Sequence, residues 1–356
     1  MRKLLLPISL LYHFVLLLRH KLYDWHILKS TRFDLPVICV GNLSLGGTGK
    51  TPHTEYITRL LSSEYRLAIL SRGYGRSSKG FRLADNVCTA ADIGDEPMQY
   101  FTKFKNVQVA VDEDRVDGVQ KLLGTPTPPQ VVILDDAFQH RKIEAGLNIL
   151  LTDYQHLYCE DYLIPAGRLR DIKQAARRAE IIVVSKSPKN ISEGEKKLII
   201  SKLNANDKQK VYFSYLEYGA LLPLNEKAKE AKANQADRAL LFTGIAQPEP
   251  LVRHLNSCFN KVESIAFGDH HSYTENDLKK VVSRFETMEG KDKIIVTTEK
   301  DAARLSKSAY LCPLESLPLF AAPICVRFHE EEKFNEDIKD YVRQNSTNGY
   351  VSAPND

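Results

Sequence analysis

The chain has no apolar run long enough for a comfortable membrane span, no closely spaced cysteine pair, no strong excess of one charge and no internal repeat. Each absence excludes something. The apolar run from Leu4 to Leu18 falls short of the roughly 20 residues that a spanning helix needs. No small-residue cleavage site comes after it, which argues against a secretory signal. The six cysteines, Cys39, Cys88, Cys159, Cys258, Cys312 and Cys325, are scattered, so neither zinc nor a disulfide framework is expected and a reducing cytoplasm is. A net charge of +4 is too mild for a nucleic-acid groove, although it suits an anionic membrane surface. The 356 residues, 43% hydrophobic and 26% charged, are enough for two packed globular domains.

The most informative segment is Val37-Ile38-Cys39-Val40-Gly41-Asn42-Leu43-Ser44-Leu45-Gly46-Gly47-Thr48-Gly49-Lys50-Thr51. A β-branched run enters a glycine-rich loop ending in Gly-Lys-Thr, and a helix-like segment comes next. That is the layout of a phosphate-binding loop. Glycines let successive N–H groups point at one anion, and the N-terminus of the next helix adds partial positive charge. Ser44, Gly46, Gly47, Thr48, Gly49, Lys50 and Thr51 are therefore the candidate nucleotide-binding residues. Lys50 would reach the β- and γ-phosphates, and the Thr51 hydroxyl would ligate Mg²⁺. Ser44 stands where the strict pattern asks for glycine. The plain alternative is a strand-to-helix turn, which the attached Lys-Thr and the strand in front disfavour.

Short β-rich runs then alternate with helical stretches: Leu67–Leu70, Val107–Val111, Val131–Leu134, Leu147–Leu151 and Ile181–Val184. This implies a mostly parallel sheet flanked by helices, an α/β fold of the P-loop NTPase type. The character shifts near Val211–Gly219, and a charged stretch from Asn225 to Lys232 reads as a solvated linker. Strands resume at Ala239–Phe242, Val262–Phe267 and Ile294–Thr297, as in a second, smaller α/β domain. The expected boundaries are 1–30 for an N-terminal helix, 31–215 for the phosphate-loop core, 216–238 for a linker, 239–343 for the smaller domain and 344–356 for a disordered tail.

Other runs carry weaker signals. Asp135 and Asp136 end a buried-type strand, where open α/β sheets bind ligands and where phosphate-loop enzymes hold Mg²⁺. A helix cap is the simpler use of one of them. Gly94-Asp95-Glu96-Pro97 reads by itself as a helix start. Asp269-His270-His271 succeeds a strand but lacks a third zinc-ligand spacing. Arg168 and Arg170 suit a phosphate or carboxylate. Thr298-Glu299-Lys300-Asp301 reads as a cap.

Taken together, Gly41–Pro52, Ser71-Arg72-Gly73-Tyr74, Gly94–Pro97, Leu134–Arg141, Phe242–Ala246, Asp269-His270 and Thr298–Asp301 resemble the tetraacyldisaccharide 4′-kinases, the lipid A 4′-kinases. The resemblance spans nearly the whole chain, with the motifs in the family's order and Ser44 shared by it. It implies an ATP- and Mg²⁺-dependent enzyme that phosphorylates the 4′-hydroxyl of an acylated glucosamine disaccharide 1-phosphate. The expected place is the cytoplasmic face of the Gram-negative inner membrane, with no nucleic acid and no obligate protein partner. By motif match, Lys50 and Thr51 serve the phosphates, Asp95 is the catalytic aspartate, His270 its dyad histidine, and Asp135 and Asp136 lie near the metal. Asp95 and His270 fall in different expected domains. Arg115 comes after an acidic run at a place matching a family arginine, and Asp171 stands where glutamate is expected.

The N-terminal run suits this role. On a helix, Ser9, Tyr12, His13, Arg19 and His20 gather into one polar stripe and leucines cover the rest, as for a helix lying in a membrane interface. A buried core helix is the alternative. The competing function is a membrane-associated regulatory ATPase of the partitioning or positioning type, but Leu45 stands where that group carries its signature lysine. A GTPase is disfavoured because Thr298–Asp301 lacks the lysine needed after its first residue for guanine recognition.

Overall fold

The computed structural model describes residues 5–231, 233–269, 271–290, 292–305 and 312–346. In chain order the strands are β1 (Val37–Asn42), β2 (Leu67–Ser71), β3 (Arg82–Leu83), β4 (Gln108–Val111), β5 (Val131–Asp135), β6 (Leu147–Asp153), β7 (Ile181–Ser185) and β8 (Lys210–Tyr218). They continue with β9 (Leu222–Pro223), β10 (Arg238–Thr243), β11 (Lys261–Ala266), β12 (Lys293–Thr298), β13 (Leu319–Ala322) and β14 (Ile324–Phe328). Among the described residues they form a nine-stranded sheet, ordered β14-β8-β7-β6-β1-β5-β2-β4-β3, and a five-stranded sheet, ordered β11-β10-β12-β13-β9.

The chain divides into two compact units. The first comprises Met1–Asn86, Phe104–Leu216 and Val326–Asp356 and carries the larger sheet. Its central strands β1, β5, β6 and β7 pair in parallel. Their runs, such as Val-Val-Ile-Leu-Asp in β5 and Ile-Ile-Val-Val-Ser in β7, are buried throughout. A sheet covered on both faces selects such continuous β-branched sequences. β1 lies beside β5 in parallel register, so the loops leaving the ends of β1 and β5 emerge together at one edge of the sheet.

The second unit comprises Val87–Lys103 and Glu217–Cys325. Along β10, Leu240 and Phe242 join a cluster with Leu278, Val281 and Phe285 of the helix Glu275–Thr287. The alternate residues Ala239 and Leu241 join Leu251 and Leu255 of the helix Glu249–Cys258. Period-two alternation thus feeds two cores, one on each face of the sheet.

These units correct the boundaries expected from sequence in three places. The 216–238 segment is not a solvated linker: Leu222-Pro223 pairs antiparallel with β13, and Ala228 of the helix Glu226–Glu230 is buried. Asn225 explains it, capping that helix and donating to the carbonyls of Leu314 and Leu317. Residues 326–343 belong to the first unit, because the helix Glu331–Asn345 stacks Phe334 on Phe328 and takes a 2.7 Å hydrogen bond from Tyr56 to Asn335. Residues 87–103 belong to the second unit, where ion pairs to the helix Glu299–Leu305 hold them. Of the expected disordered tail, residues 347–356 lie outside the described residues.

The N-terminal helix runs Leu6–Asp24 and is not a core helix. Its polar stripe faces the protein. Ser9 donates to the carbonyl of Leu163, Tyr12 to that of Arg170, and Arg19 to that of Gln139. His20 Nε2 meets the fully buried Asp171 at 2.6 Å. Because Arg141 donates to His20 Nδ1, Nε2 carries the ring proton and donates to the carboxylate. The apolar side faces outward: Ile8, Leu10, Leu11, Phe14, Val15 and Leu18 are all more than half exposed. No helix among the described residues is long and apolar enough to cross a membrane.

Candidate active site

The glycine-rich loop leaves β1 at the sheet edge and turns through three left-handed glycines, Gly46, Gly47 and Gly49, with φ of 71°, 59° and 79°. A side chain would strain each of these. The next helix starts at Lys50, with Gly49 as its N-cap. Asn42 organises the loop from within. Its amide donates 2.8 Å to the Thr48 hydroxyl, and its Oδ1 accepts from Lys50 and Arg170. Gly41, before it, is required by close approach: a Cβ there would stand 2.5 Å from that of Phe138.

Asp135 and Asp136 close β5 beside this loop. Asp136 is left-handed, φ 51°, while its N–H bonds to the carbonyl of Val40. That turn brings its carboxylate to Lys50 Nζ at 3.6 Å and into a two-pronged hydrogen bond with the Arg170 guanidinium. Burial works against ionisation of Asp136, but the charges of Lys50 and Arg170 outweigh it and hold the carboxyl below its usual range. Asp135 is buried and lies 3.5 Å from the Thr54 hydroxyl. Arg115, also buried, faces both aspartates; burial lowers its pKa and their charges oppose that.

His53 braces the loop from behind. Nδ1 lies 2.7 Å from the Gly49 carbonyl, which can only accept, so the ring proton sits there and Nε2 accepts from the Ser214 hydroxyl at 2.8 Å. Full burial pushes its pKa down to about 4, with the Gly49 bond opposing.

The second unit holds a separate polar cluster at the C-terminal ends of β10 and β12. Asp95 opens the helix Asp95–Lys103 and takes a 2.8 Å hydrogen bond from Arg304 Nε. Lys300 pairs with Glu96 at 2.9 Å and Lys103 with Glu299 at 2.6 Å. These three ion pairs attach residues 95–103 to the helix Glu299–Leu305. They are the reason Asp95 belongs to the second unit and not, as expected, to the core. His270 lies outside the described residues; its neighbours Asp269 and His271 belong to the same unit as Asp95, so the expectation of different domains is corrected. His271 stacks on Phe267 and pairs with Asp277 at 3.0 Å. The Thr274 hydroxyl and His271 together bring the Asp277 carboxyl down to about 2.

A model of the tetraacyldisaccharide-1-P 4′-kinase family, LpxK, matches residues 1–343. The chain belongs to this kinase family. A tetraacyldisaccharide 4′-kinase of Bacteroides thetaiotaomicron is 44% identical over 98% of this chain and 96% of its own length. That of Porphyromonas gingivalis is 39% identical over 93% and 95%. Among solved structures, LpxK from Aquifex aeolicus, described as an "apo" form in complex with ATP, gives a TM-score of 0.73 at 30% identity, covering 96% of this chain and 99% of that one. Family membership bears out the mostly parallel fold with its second sheet and disfavours the regulatory-ATPase alternative.

Within the family frame, the first unit brings Lys50, Asp136 and the phosphate loop together as the sequence suggested. Three contributors are not visible in the sequence: Asn42, His53 and Arg304. Asn42 stands inside the loop motif at a place to which the phosphate-loop pattern gives no role. His53 resembles any residue of a helix face. Arg304 looks like a solvated arginine six residues beyond Thr298. Asp171, which stands where glutamate was expected, anchors the N-terminal helix through His20.

Proposed function

We propose that the chain transfers the γ-phosphoryl group of ATP to the 4′-hydroxyl of a tetraacyl glucosamine disaccharide 1-phosphate. The observation that carries this reading is the glycine loop with Lys50 drawn to Asp136, in a chain of this kinase family. Backbone N–H groups of Gly46–Thr51 cradle the phosphates, and Lys50 neutralises charge that develops on the transferred group. The Thr51 hydroxyl and the carboxylates of Asp135 and Asp136 would hold Mg²⁺. This oxygen-only donor set suits a hard cation that takes one or two carboxylates plus substrate phosphates. No group of three His, Cys, Asp or Glu able to hold a metal occurs among the described residues, so such an ion would lean on the nucleotide. Held there, it would supply charge neutralisation for the transferring phosphoryl group.

In the reaction the acceptor oxygen bonds to the γ-phosphorus, the bond to the bridging oxygen of ADP breaks, and the hydroxyl proton passes to the Asp95 carboxylate. His270 then orients or relieves that acid. The acceptor's acyl chains stay in the bilayer, and the outward leucines of Leu6–Asp24 lie in the interface at the cytoplasmic face of the inner membrane. Family membership and the outward apolar face of this helix support the placement.

The test is acceptor dependence. With ATP and Mg²⁺ alone the protein should turn over slowly, and the disaccharide 1-phosphate in detergent micelles should raise ADP release in step with lipid phosphorylation. Fast ATP turnover indifferent to the lipid would instead favour a regulatory ATPase.

A further inference from the structure

The three ion pairs that fasten the Asp95 helix are not equivalent. Arg304 is 7% exposed at its side chain, and its guanidinium spans three partners. Nε donates to Asp95 Oδ2 at 2.8 Å, while Nη1 donates to Asp301 Oδ1 at 2.9 Å and to the Gly244 carbonyl at 3.0 Å. Asp301 is fully buried, and its other oxygen accepts from the hydroxyls of Thr298 at 2.6 Å and Thr243 at 3.1 Å and from the Gly244 N–H at 3.1 Å. Gly244 is thus gripped through both its N–H and its carbonyl. A Cβ on Gly244 would meet His271 Cβ at 3.1 Å and the Gly268 carbonyl at 3.3 Å, so the residues on either side of 269 and 270 rest on this same glycine.

One buried cation therefore ties the Asp95 carboxylate to the peptide on which the loop after β11 is packed. Exposed ion pairs contribute little, but a buried fork whose Nε and Nη1 are both bonded fixes direction. The need for a planar fork explains arginine rather than lysine here. Parallel β10 and β12 place the cluster at a C-terminal sheet edge, where open α/β sheets put their chemistry.

We propose that Arg304, seated on Asp301, is a positioning residue that aims the Asp95 carboxylate at the acceptor hydroxyl and ties it to Gly244, on which Gly268 and His271 rest. This rests on the reading of Asp95 as the group that accepts the acceptor's proton. The bond from Arg304 occupies Oδ2 and directs how the carboxylate presents itself.

The experiment is single-turnover phosphoryl transfer to the disaccharide 1-phosphate, with saturating ATP and Mg²⁺, for wild type, Arg304→Gln, Arg304→Lys, Asp95→Asn and the Arg304→Gln/Asp95→Asn double variant. ATP affinity and thermal melts are measured on each. Misaiming the carboxylate should slow transfer by about 100-fold in Arg304→Gln, while ATP affinity stays within about twofold. Arg304→Lys, which keeps the charge but not the fork, should recover only part of the loss. The double variant should be no slower than Asp95→Asn alone, because a residue acting through Asp95 has nothing left to aim. A merely structural staple would give additive losses that track the melting temperature, and that result overturns the proposal. So does full rate in Arg304→Gln, or in Arg304→Lys should the glutamine variant fail to fold, while Asp95→Asn is slow. Full rate in Asp95→Asn would instead remove Asp95 as proton acceptor, and the positioning role with it.

Discussion

At Asp136 the backbone enters the left-handed region, which aspartate tolerates better than most residues, and the carboxylate thereby meets Lys50 and Arg170 together. A lysine held this way is aimed before any nucleotide arrives. Removing it should spare the fold and cost transition-state charge stabilisation. Lys50→Ala should lower kcat by on the order of 100- to 1,000-fold with an unchanged melt; near-normal turnover in a folded variant would take the loop out of the mechanism. His53 makes a different prediction. Its ring is neutral in the folded protein, with a pKa near 4 against an ordinary 6.5. A depressed folded value means that the stabilisation is complete above about pH 6.5 and drains away as pH falls toward 4. The loss should approach about 3 kcal/mol at full protonation. Urea unfolding of wild type between pH 7 and 4.5 should show it, and His53→Asn, which can still donate to the Gly49 carbonyl, should lack this part of the slope. The loop itself was legible in sequence because glycine, lysine and threonine have few other reasons to stand in that order. His53 was not, because its importance lies in two hydrogen bonds that only the fold brings about.

The helix Leu6–Asp24 shows what periodicity conveys and what it omits. Spacing alone gathers Ser9, Tyr12, His13, Arg19 and His20 on one side. It cannot say that this side would face inward, because the partners, the carbonyls of Gln139, Leu163 and Arg170 and the carboxylate of Asp171, lie more than a hundred residues away. The inward polar stripe leaves Leu11, Phe14 and Leu18 at 68%, 59% and 59% exposure. Replacing all three by glutamine should weaken sedimentation with anionic vesicles by about 1,000-fold or more, since each large apolar side chain is worth roughly 1.5–3 kcal/mol when buried and every 1.4 kcal/mol is tenfold. ATP binding and the melting temperature should not change. Undiminished vesicle binding would place the membrane contact elsewhere. The edge strands β3 and β9 and the late strands β13 and β14 are hidden in the sequence because two-residue pairings and strands beside a charged stretch carry little alternation.

For the whole molecule, the sequence made two α/β units visible because buried parallel strands demand continuous apolar runs, which Val131–Leu134 and Ile294–Thr297 supply. The chain's path between the units was hidden. Residues 87–103 join the second unit through Asp95–Arg304, Glu96–Lys300 and Lys103–Glu299, pairs about two hundred residues apart that no local pattern reports. The last helix returns to the first unit through Phe334 and Asn335, aromatic and amide contacts equally invisible to spacing. Motifs that read as isolated caps, Gly94–Pro97 and Thr298–Asp301, acquire meaning only as halves of one cluster. The proposed function comes down to one bond, from the γ-phosphorus to the 4′-oxygen. It is tested most directly by incubating the protein with γ-labelled ATP, Mg²⁺ and the tetraacyl disaccharide 1-phosphate in detergent, then locating the label in the product by mass spectrometry and phosphorus NMR. Wild type should form a bisphosphorylated lipid labelled at the 4′-oxygen, and Lys50→Ala should lose it. An unmodified lipid, or label at any other hydroxyl, would contradict it.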